Sequence, residues 1–147
     1  MGGKIVFKDN VNLGVRESPA FYTGFIYIDA RKQHSTISIG KNCWINNSSL
    51  ISEGKGIFIG DNCLIGSNVD IIDSNFHDLN PKKKMNGNIK TAKVVLEENV
   101  FIGSNVKILK GVTIGKNSVI ANGSIVTKSI PSDVIAGGNP CKVIKKL

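Results

Sequence analysis

The sequence predicts an all-β protein wound as a parallel β-solenoid, and three observations carry that prediction. A branched aliphatic residue recurs every six positions: Ile39, Ile45 and Ile51, then Ile59, Ile65 and Ile71 after a two-residue slip at Lys55-Gly56, then Leu96, Ile102, Ile108, Ile114, Ile120 and Val126. Three residues after most of them stands Asn or Gly (Asn42, Gly54, Asn62, Asn68, Asn99, Asn105, Gly111, Asn117, Gly123), the residue types that tolerate a left-handed backbone and so mark a corner. Two residues before them stands a small or branched residue (Cys43, Ser49, Ile57, Cys63, Val69, Val100, Val106, Val112, Ser118, Ser124). Period two inside period six describes a very short strand followed by a turn. Such a unit cannot bury its face alone, and stacking successive turns is how it builds a core. A helix is excluded, because apolar residues do not recur at helical spacing and the repeated Gly and Asn would break it.

Taken in order, residues 1–36 hold short apolar runs such as Phe25-Ile26-Tyr27-Ile28 but lose the six-residue phase, as an irregular capping segment would. Residues 37–72 and 94–129 each supply about two turns of roughly 18 residues. Between them, residues 73–93 contain His77, Pro81, the run Lys82-Lys83-Lys84 and Asn86-Gly87-Asn88 without any repeat phase. This is an excursion loop, and loops of that length in a compact domain are usually functional or disordered. Residues 130–147 form a turn-rich exit and a short basic C-terminal tail ending Lys142-Val143-Ile144-Lys145-Lys146-Leu147. The whole of 1–147 reads as a single domain.

With 147 residues, the chain is the size of one domain, and none of its apolar runs is long enough to span a membrane. The formal net charge of +8 would attract an anionic partner, whether nucleic acid, anionic glycan or a phosphorylated cofactor. Nucleic acid is disfavoured, because the few aromatics are not interleaved with the lysines as a stacking platform requires. Cys43, Cys63 and Cys141 match no disulfide framework and no metal knuckle, and read as small packed residues; reduced thiols fit a cytoplasmic protein, as does an N-terminus without an apolar secretory core. His34 has no metal-ligand spacing to any partner, and two histidines make no three-His site, so no metal is expected.

The run from Val100 to Lys145, with Val-Phe-Ile-Gly-Ser-Asn-Val, Gly-Val-Thr-Ile-Gly, Gly-Ser-Ile-Val-Thr-Lys and Gly-Gly-Asn-Pro-Cys-Lys-Val-Ile-Lys, resembles the hexapeptide-repeat acyltransferases, and the resemblance extends over 37–147. The run looks like the C-terminal half of the galactoside, maltose and bacterial polysaccharide O-acetyltransferases. The resemblance implies a left-handed helix, against the usual right-handed crossover rule, and a homotrimer with active sites between neighbouring solenoids. It also implies acetyl-coenzyme A as acyl donor and a catalytic His on an interrupting loop, here His77. An imidazole titrates near working pH and can take the proton as a hydroxyl attacks the thioester. Asp73 or Asp78 would hold its tautomer, although either also fits a turn cap. Asn46 matches an acceptor-contacting Asn. Ser104 matches the residue whose backbone N–H faces the thioester as an oxyanion donor. Asn122 and Thr127 match positions lining the pantetheine arm, with Asn122 standing where the family usually has Ala. Lys142 and Lys145 match a basic pair on the coenzyme A phosphates, and Lys82-Lys83-Lys84 reads as a solvated loop.

The function expected from this is transfer of acetyl to a hydroxyl of a sugar or saccharide precursor, with a saccharide or nucleotide-sugar acceptor, in bacterial surface polysaccharide assembly. N-acetylation of an amino sugar needs the same fold and base. A non-catalytic scaffold is the remaining alternative, weakened by the 73–93 excursion, which a scaffold has no need of.

Overall fold

The structure, a computed structural model, describes residues 2–18 and 20–147; these contain short strands and turns and no helix. The first coil consists of β1 (Lys4–Phe7), β2 (Asn12–Leu13) and β3 (Tyr27–Ala30), and the second of β4 (Thr36–Ile39), β5 (Trp44–Ile45) and β6 (Ser49–Ser52). The third comprises β7 (Ile57–Ile59), β8 (Leu64–Ile65) and β9 (Asp70–Ile72), after which the chain leaves the stack. It returns as β10 (Val94–Leu96), β11 (Phe101–Ile102) and β12 (Lys107–Ile108), then β13 (Thr113–Ile114), β14 (Val119–Ile120) and β15 (Ile125–Val126). Like strands of successive coils pair in parallel, giving a three-sided prism: sheet A is β1-β4-β7-β10-β13, sheet B is β2-β5-β8-β11-β14, and sheet C is β3-β6-β9-β12-β15. Sheet B continues into β16 (Val134–Gly137) and an antiparallel last strand, β17 (Lys142–Lys146).

The aliphatics of the repeat meet inside the prism. Ile39, Ile59, Leu96 and Ile114 stand in register on sheet A, and Ile45, Ile65, Ile102 and Ile120 on sheet B, all buried. Each such side chain contributes about 1.5–3 kcal/mol on burial. Register is kept from Ile59 to Leu96 across the excursion, so 73–93 is inserted without disturbing the stack. Except for Gly54, every corner Asn or Gly expected from the sequence has a positive φ. The corner amides also stack: Asn10 donates to Asn42 and Asn42 to Asn62, each at 3.1 Å, and Asn99 donates to Asn117 at 3.0 Å, which donates to Asp133 at 2.7 Å.

The structure corrects the sequence reading in the second coil. Leu50, not Ile51, faces the core and pairs with Ile71, and Ser48 rather than Ser49 is the buried small residue. The corner between Ile45 and Leu50 is one residue shorter than the repeat and lacks a positive-φ residue, so the phase shifts and Ile51 points outward. Ser48 Oγ satisfies itself by donating to the Gly66 carbonyl at 3.0 Å. The first 36 residues are also more regular than expected, because β1, β2 and β3 complete a coil in register with the second one, interrupted by a loop over 14–26. The basic tail, read as a simple exit, is a strand on sheet B.

Asp73 anchors the excursion. Fully buried, its carboxylate accepts from Ser52 Oγ at 2.8 Å and from the backbone N–H of Glu53 at 2.7 Å, Gly54 at 3.1 Å and Gly56 at 2.7 Å. It thereby satisfies the corner of the second coil, where no tight repeat turn exists. The loop stem is closed by a Ser74–Thr91 bridge and by Ala92 N–H donating to the Asp73 carbonyl at 2.9 Å. Replacing Asp73 with Ala leaves these amides orphaned in the interior and is expected to cost about 3 kcal/mol or more, at roughly 1–3 kcal/mol per unsatisfied group. Urea unfolding at fixed protein concentration checks this; a loss below about 1 kcal/mol would show that the corner is held by other contacts.

Candidate active site

Both departures from the repeat border sheet C. The 14–26 loop leaves at the corner from sheet B to sheet C in the first coil, and the 73–93 loop at the corner from sheet C to sheet A in the third. Three clefts lie along the outer face of that sheet. The first, about 330 Å³, is bounded by Phe25 of the N-terminal loop and by Asn47, Ser67 and Asp70. The second, of similar size, shares Ser49 and Asp70 with it. The third, about 370 Å³, shares Ile72 and Leu109 with the second, and is closed by Phe76 and Leu79 of the excursion and by Thr127. The shared walls make them one trough.

His77 is exposed on the excursion, between Phe76 and Leu79, so the structure brings its loop and Thr127 to the same cleft. Neither candidate carboxylate orients the imidazole. The carboxylate of Asp73 is engaged by the corner residues 52–56, because buried backbone donors there have no other acceptor, which corrects the expectation that it holds the tautomer. Asp78 accepts from the Asn80 N–H at 2.8 Å and the Asn88 N–H at 3.0 Å, bracing the far limb of its own loop. Gly87 passes so close that a Cβ there would overlap the Asp78 side chain. Lys82, Lys83 and Lys84 are exposed on the turn between.

Ser104 and Asn122 occupy the corner from sheet B to sheet C in successive coils. The Ser104 N–H is not free: it donates to Asn122 Oδ1 at 2.9 Å, so the expected oxyanion donor is covered by this chain's own amide. Gly103 makes the approach possible, since a Cβ there would stand 2.3 Å from that oxygen. Asn46 lies at the same kind of corner in the second coil, and its Oδ1 accepts from Ser18 Oγ at 2.9 Å and from the Asn47 N–H at 2.8 Å. Asn47 donates to the Ala20 carbonyl at 2.8 Å, so this pair holds the N-terminal loop over the first cleft. At the far end, Cys141 N–H donates to the Ile125 carbonyl at 2.9 Å, which starts β17 with Lys142 beside the strand that leads to Thr127. Lys142 and Lys145 are exposed.

Two features had no sequence signal. On the trough floor, Asp70 accepts from Ser49 Oγ and pairs with Lys107, and these partners hold its carboxyl below the usual carboxylate range against the opposing effect of burial. Beside the excursion, Arg31 donates through Nε to Asp29 at 2.7 Å, lies 3.6 Å from Glu53, and stacks its guanidinium over the Phe76 ring at 5.2 Å from the centroid. The Arg31 hydrogen bond lowers the Asp29 carboxyl. The cysteines fit packing: all three are free and buried, the hydrogen bond with Cys43 and burial push the Cys63 thiol up, and burial raises Cys141. No helix among the described residues is long and apolar enough to cross a membrane.

Comparison with known proteins agrees with this architecture. Residues 93–128 match the family described as bacterial transferase hexapeptide (six repeats), and residues 36–71 match the hexapeptide repeat of succinyl-transferase. The galactoside O-acetyltransferase of Escherichia coli is 43% identical over 113 residues, which is 77% of this chain and 55% of that protein. The chain therefore spans little more than half the length of the curated relatives it matches. Among solved structures, a galactoside acetyltransferase in complex with coenzyme A superimposes with a TM-score of 0.76 at 37% identity, covering 95% of this chain and 65% of that one. A maltose O-acetyltransferase from Clostridium difficile gives 0.75 at 33%, covering 96% and 70%. Its fold, a left-handed parallel β-helix, and these likenesses show that the chain belongs to the hexapeptide-repeat acyltransferase family.

Proposed function

We propose that the protein transfers acetyl from acetyl-coenzyme A to a hydroxyl of a sugar or saccharide precursor, by direct attack with His77 as general base. The observation that supports this most is that residues flanking His77 on its loop, Phe76 and Leu79, line the same cleft as Thr127. The named activity of the galactoside and maltose O-acetyltransferases favours a sugar hydroxyl, and the coenzyme A in the galactoside acetyltransferase complex favours that donor. Surface polysaccharide assembly is the process we assign, by analogy with the polySia specific acetyltransferase NeuO, 31% identical to this chain. Lys142 and Lys145 would meet the coenzyme A phosphates as mobile point charges, and three reduced cysteines fit the cytoplasm.

In this reading the acceptor hydroxyl attacks the thioester carbonyl while the imidazole takes its proton; the tetrahedral oxyanion collapses and expels the coenzyme A thiolate, which the imidazolium protonates. Charge developing on the carbonyl oxygen needs a donor, and Ser104 N–H is the one the fold offers once Asn122 yields it. We also propose a homotrimer. On the outer face of sheet B, Trp44, Leu64 and Phe101 stand in one register column, each nearly half exposed (46%, 45% and 46%), and a second copy would bury them.

His77→Ala is expected to lower kcat by on the order of 10²–10⁴-fold, the usual worth of a positioned acid–base group, with coenzyme A affinity unchanged. Thiol release from acetyl-coenzyme A against a panel of sugars and amino sugars reads both kcat and acceptor class; unchanged turnover would move the base elsewhere, and acetylation of amines alone would make the enzyme an N-acetyltransferase. Asn122→Ala should tighten acetyl-coenzyme A about fivefold relative to coenzyme A, the worth of one hydrogen bond of about 1 kcal/mol, because only the thioester competes for the Ser104 N–H. Equal effects on both ligands in calorimetry would place Asn122 on the pantetheine arm instead. Leu64→Arg should dissociate the assembly in sedimentation equilibrium, and a parent that sediments as a monomer would remove the trimer.

A further inference from the structure

We propose that Arg31 is a positioning residue for His77, acting through the ring of Phe76; this rests on the reading of His77 as the base. Phe76 immediately precedes His77 and has φ +58°, a conformation that an aromatic residue adopts only when its surroundings impose it. Because the backbone of Phe76 sets the direction in which the His77 side chain leaves the chain, whatever holds Phe76 also aims the imidazole.

Two contacts hold it. Its N–H donates to Ser74 Oγ at 2.9 Å, fixing the backbone side, and the guanidinium of Arg31 covers the ring. Arg31 follows β3 at the corner from sheet C to sheet A in the first coil, whereas Phe76 belongs to the same corner of the third coil, so the side chain must reach past the intervening corner. That corner supplies the support. Glu53, whose side chain is only 11% exposed, lies 3.6 Å from Arg31 on one side, and Asp29 accepts from Arg31 Nε on the other. Asp29 is itself fixed by Tyr27 Oη at 3.0 Å, and Glu53 by its backbone N–H on the Asp73 carboxylate. Three stacked corners thus brace one planar cation against one ring. The rest of the loop is held separately, by Asp78, so Phe76 is the point at which the solenoid itself grips the residue before the base.

A lysine would keep the charge but lose the flat face that stacks on the ring and the fork that spans two carboxylates. Gly at 76 would adopt the same φ without a ring, and would leave Arg31 nothing to hold.

The test is a double-mutant cycle on the full chain with Arg31→Met, Phe76→Gly and the pair, with Arg31→Lys and His77→Ala alongside. Turnover is followed as thiol release from acetyl-coenzyme A with 4-nitrophenyl β-galactoside as the acceptor probe. Arg31→Met should lower kcat by roughly 10–100-fold, the scale of a misplaced catalytic group, with KM for acetyl-coenzyme A within about twofold of the parent. Arg31→Lys should recover little of the loss, and Arg31→Met should have no further effect in the Phe76→Gly background. Backbone NMR relaxation supplies a readout free of any acceptor: order parameters at residues 76 and 77 should fall in Arg31→Met, while those of the stacked strands stay unchanged. If Arg31→Met does not fold, Phe76→Leu removes the π face and should reproduce the kcat loss. Parental kcat in Arg31→Met, or equal losses in both backgrounds, overturns the proposal, as do unaltered order parameters if the probe is not turned over. Unchanged turnover in His77→Ala would instead remove the base and leave the relaxation result to decide whether Arg31 orders the loop.

Discussion

A narrow three-sided prism needs a buried branched aliphatic at the same place on each face of each stacked coil, and much of this molecule follows from meeting that demand. The aliphatic must arrive in register every time the chain comes round, so each coil has to turn three corners in a fixed number of residues. The tight corners are made by Asn and Gly at positive φ, and the Asn side chains bond to one another up the stack. On sheet B, Cys43, Cys63, Val100 and Ser118 share one buried position two residues before the aliphatics. The thiols there are buried packing elements.

That constraint is why so much of the fold can be read from the sequence. Where a coil keeps its full length, the period alone places the strand, the inward residue and the corner, as it does from Leu96 through Val126. The reading slips where a corner loses a residue. Ile51 satisfies the six-residue count, yet Leu50 points inward, because a count in sequence does not register a shortened turn and two adjacent aliphatics offer no chemical distinction. The first coil escaped for a related reason: the 14–26 loop separates β2 from β3, so its strands are in phase with the second coil in space but not in sequence.

The candidate site was legible in part. The excursion and His77 stand out because they break a strong pattern. The partners do not, since hydrogen bonds across 20 or more residues depend on which corner stacks on which. Asp73 looks in sequence like a neighbour suited to orient His77, but a buried carboxylate facing unpaired amide donors binds them, and the corner at 52–56 presents them. Asn122 looks like a loss of the family's Ala, yet its longer side chain reaches the Ser104 amide one coil away. The Arg31 cluster draws on Tyr27, Asp29, Glu53 and Phe76, residues that share no motif and meet only because their coils are stacked.

A regular solenoid offers three nearly equivalent faces, and chemistry needs one of them to differ. Insertions are tolerated only at corners, since an added residue inside a strand would turn its aliphatic outward. Each inserted loop can overhang only the two faces that meet at its corner. The loop between β2 and β3 leaves at the corner of sheets B and C, the loop between β9 and β10 at the corner of sheets C and A, and sheet C is the face common to both corners. Two loops placed at different corners and two coils apart therefore give one face a floor with walls at both ends, and the three connected clefts lie on that face. The floor is also chemically distinct. Its outward positions hold Ser49, Asp70 and Lys107 in one register row, where sheet B presents Trp44, Leu64 and Phe101. The choice of outward residue at each six-residue step thus gives sheet C a row that carries hydroxyl and charged groups beside Ile51, Ile72 and Leu109, and gives sheet B an apolar column.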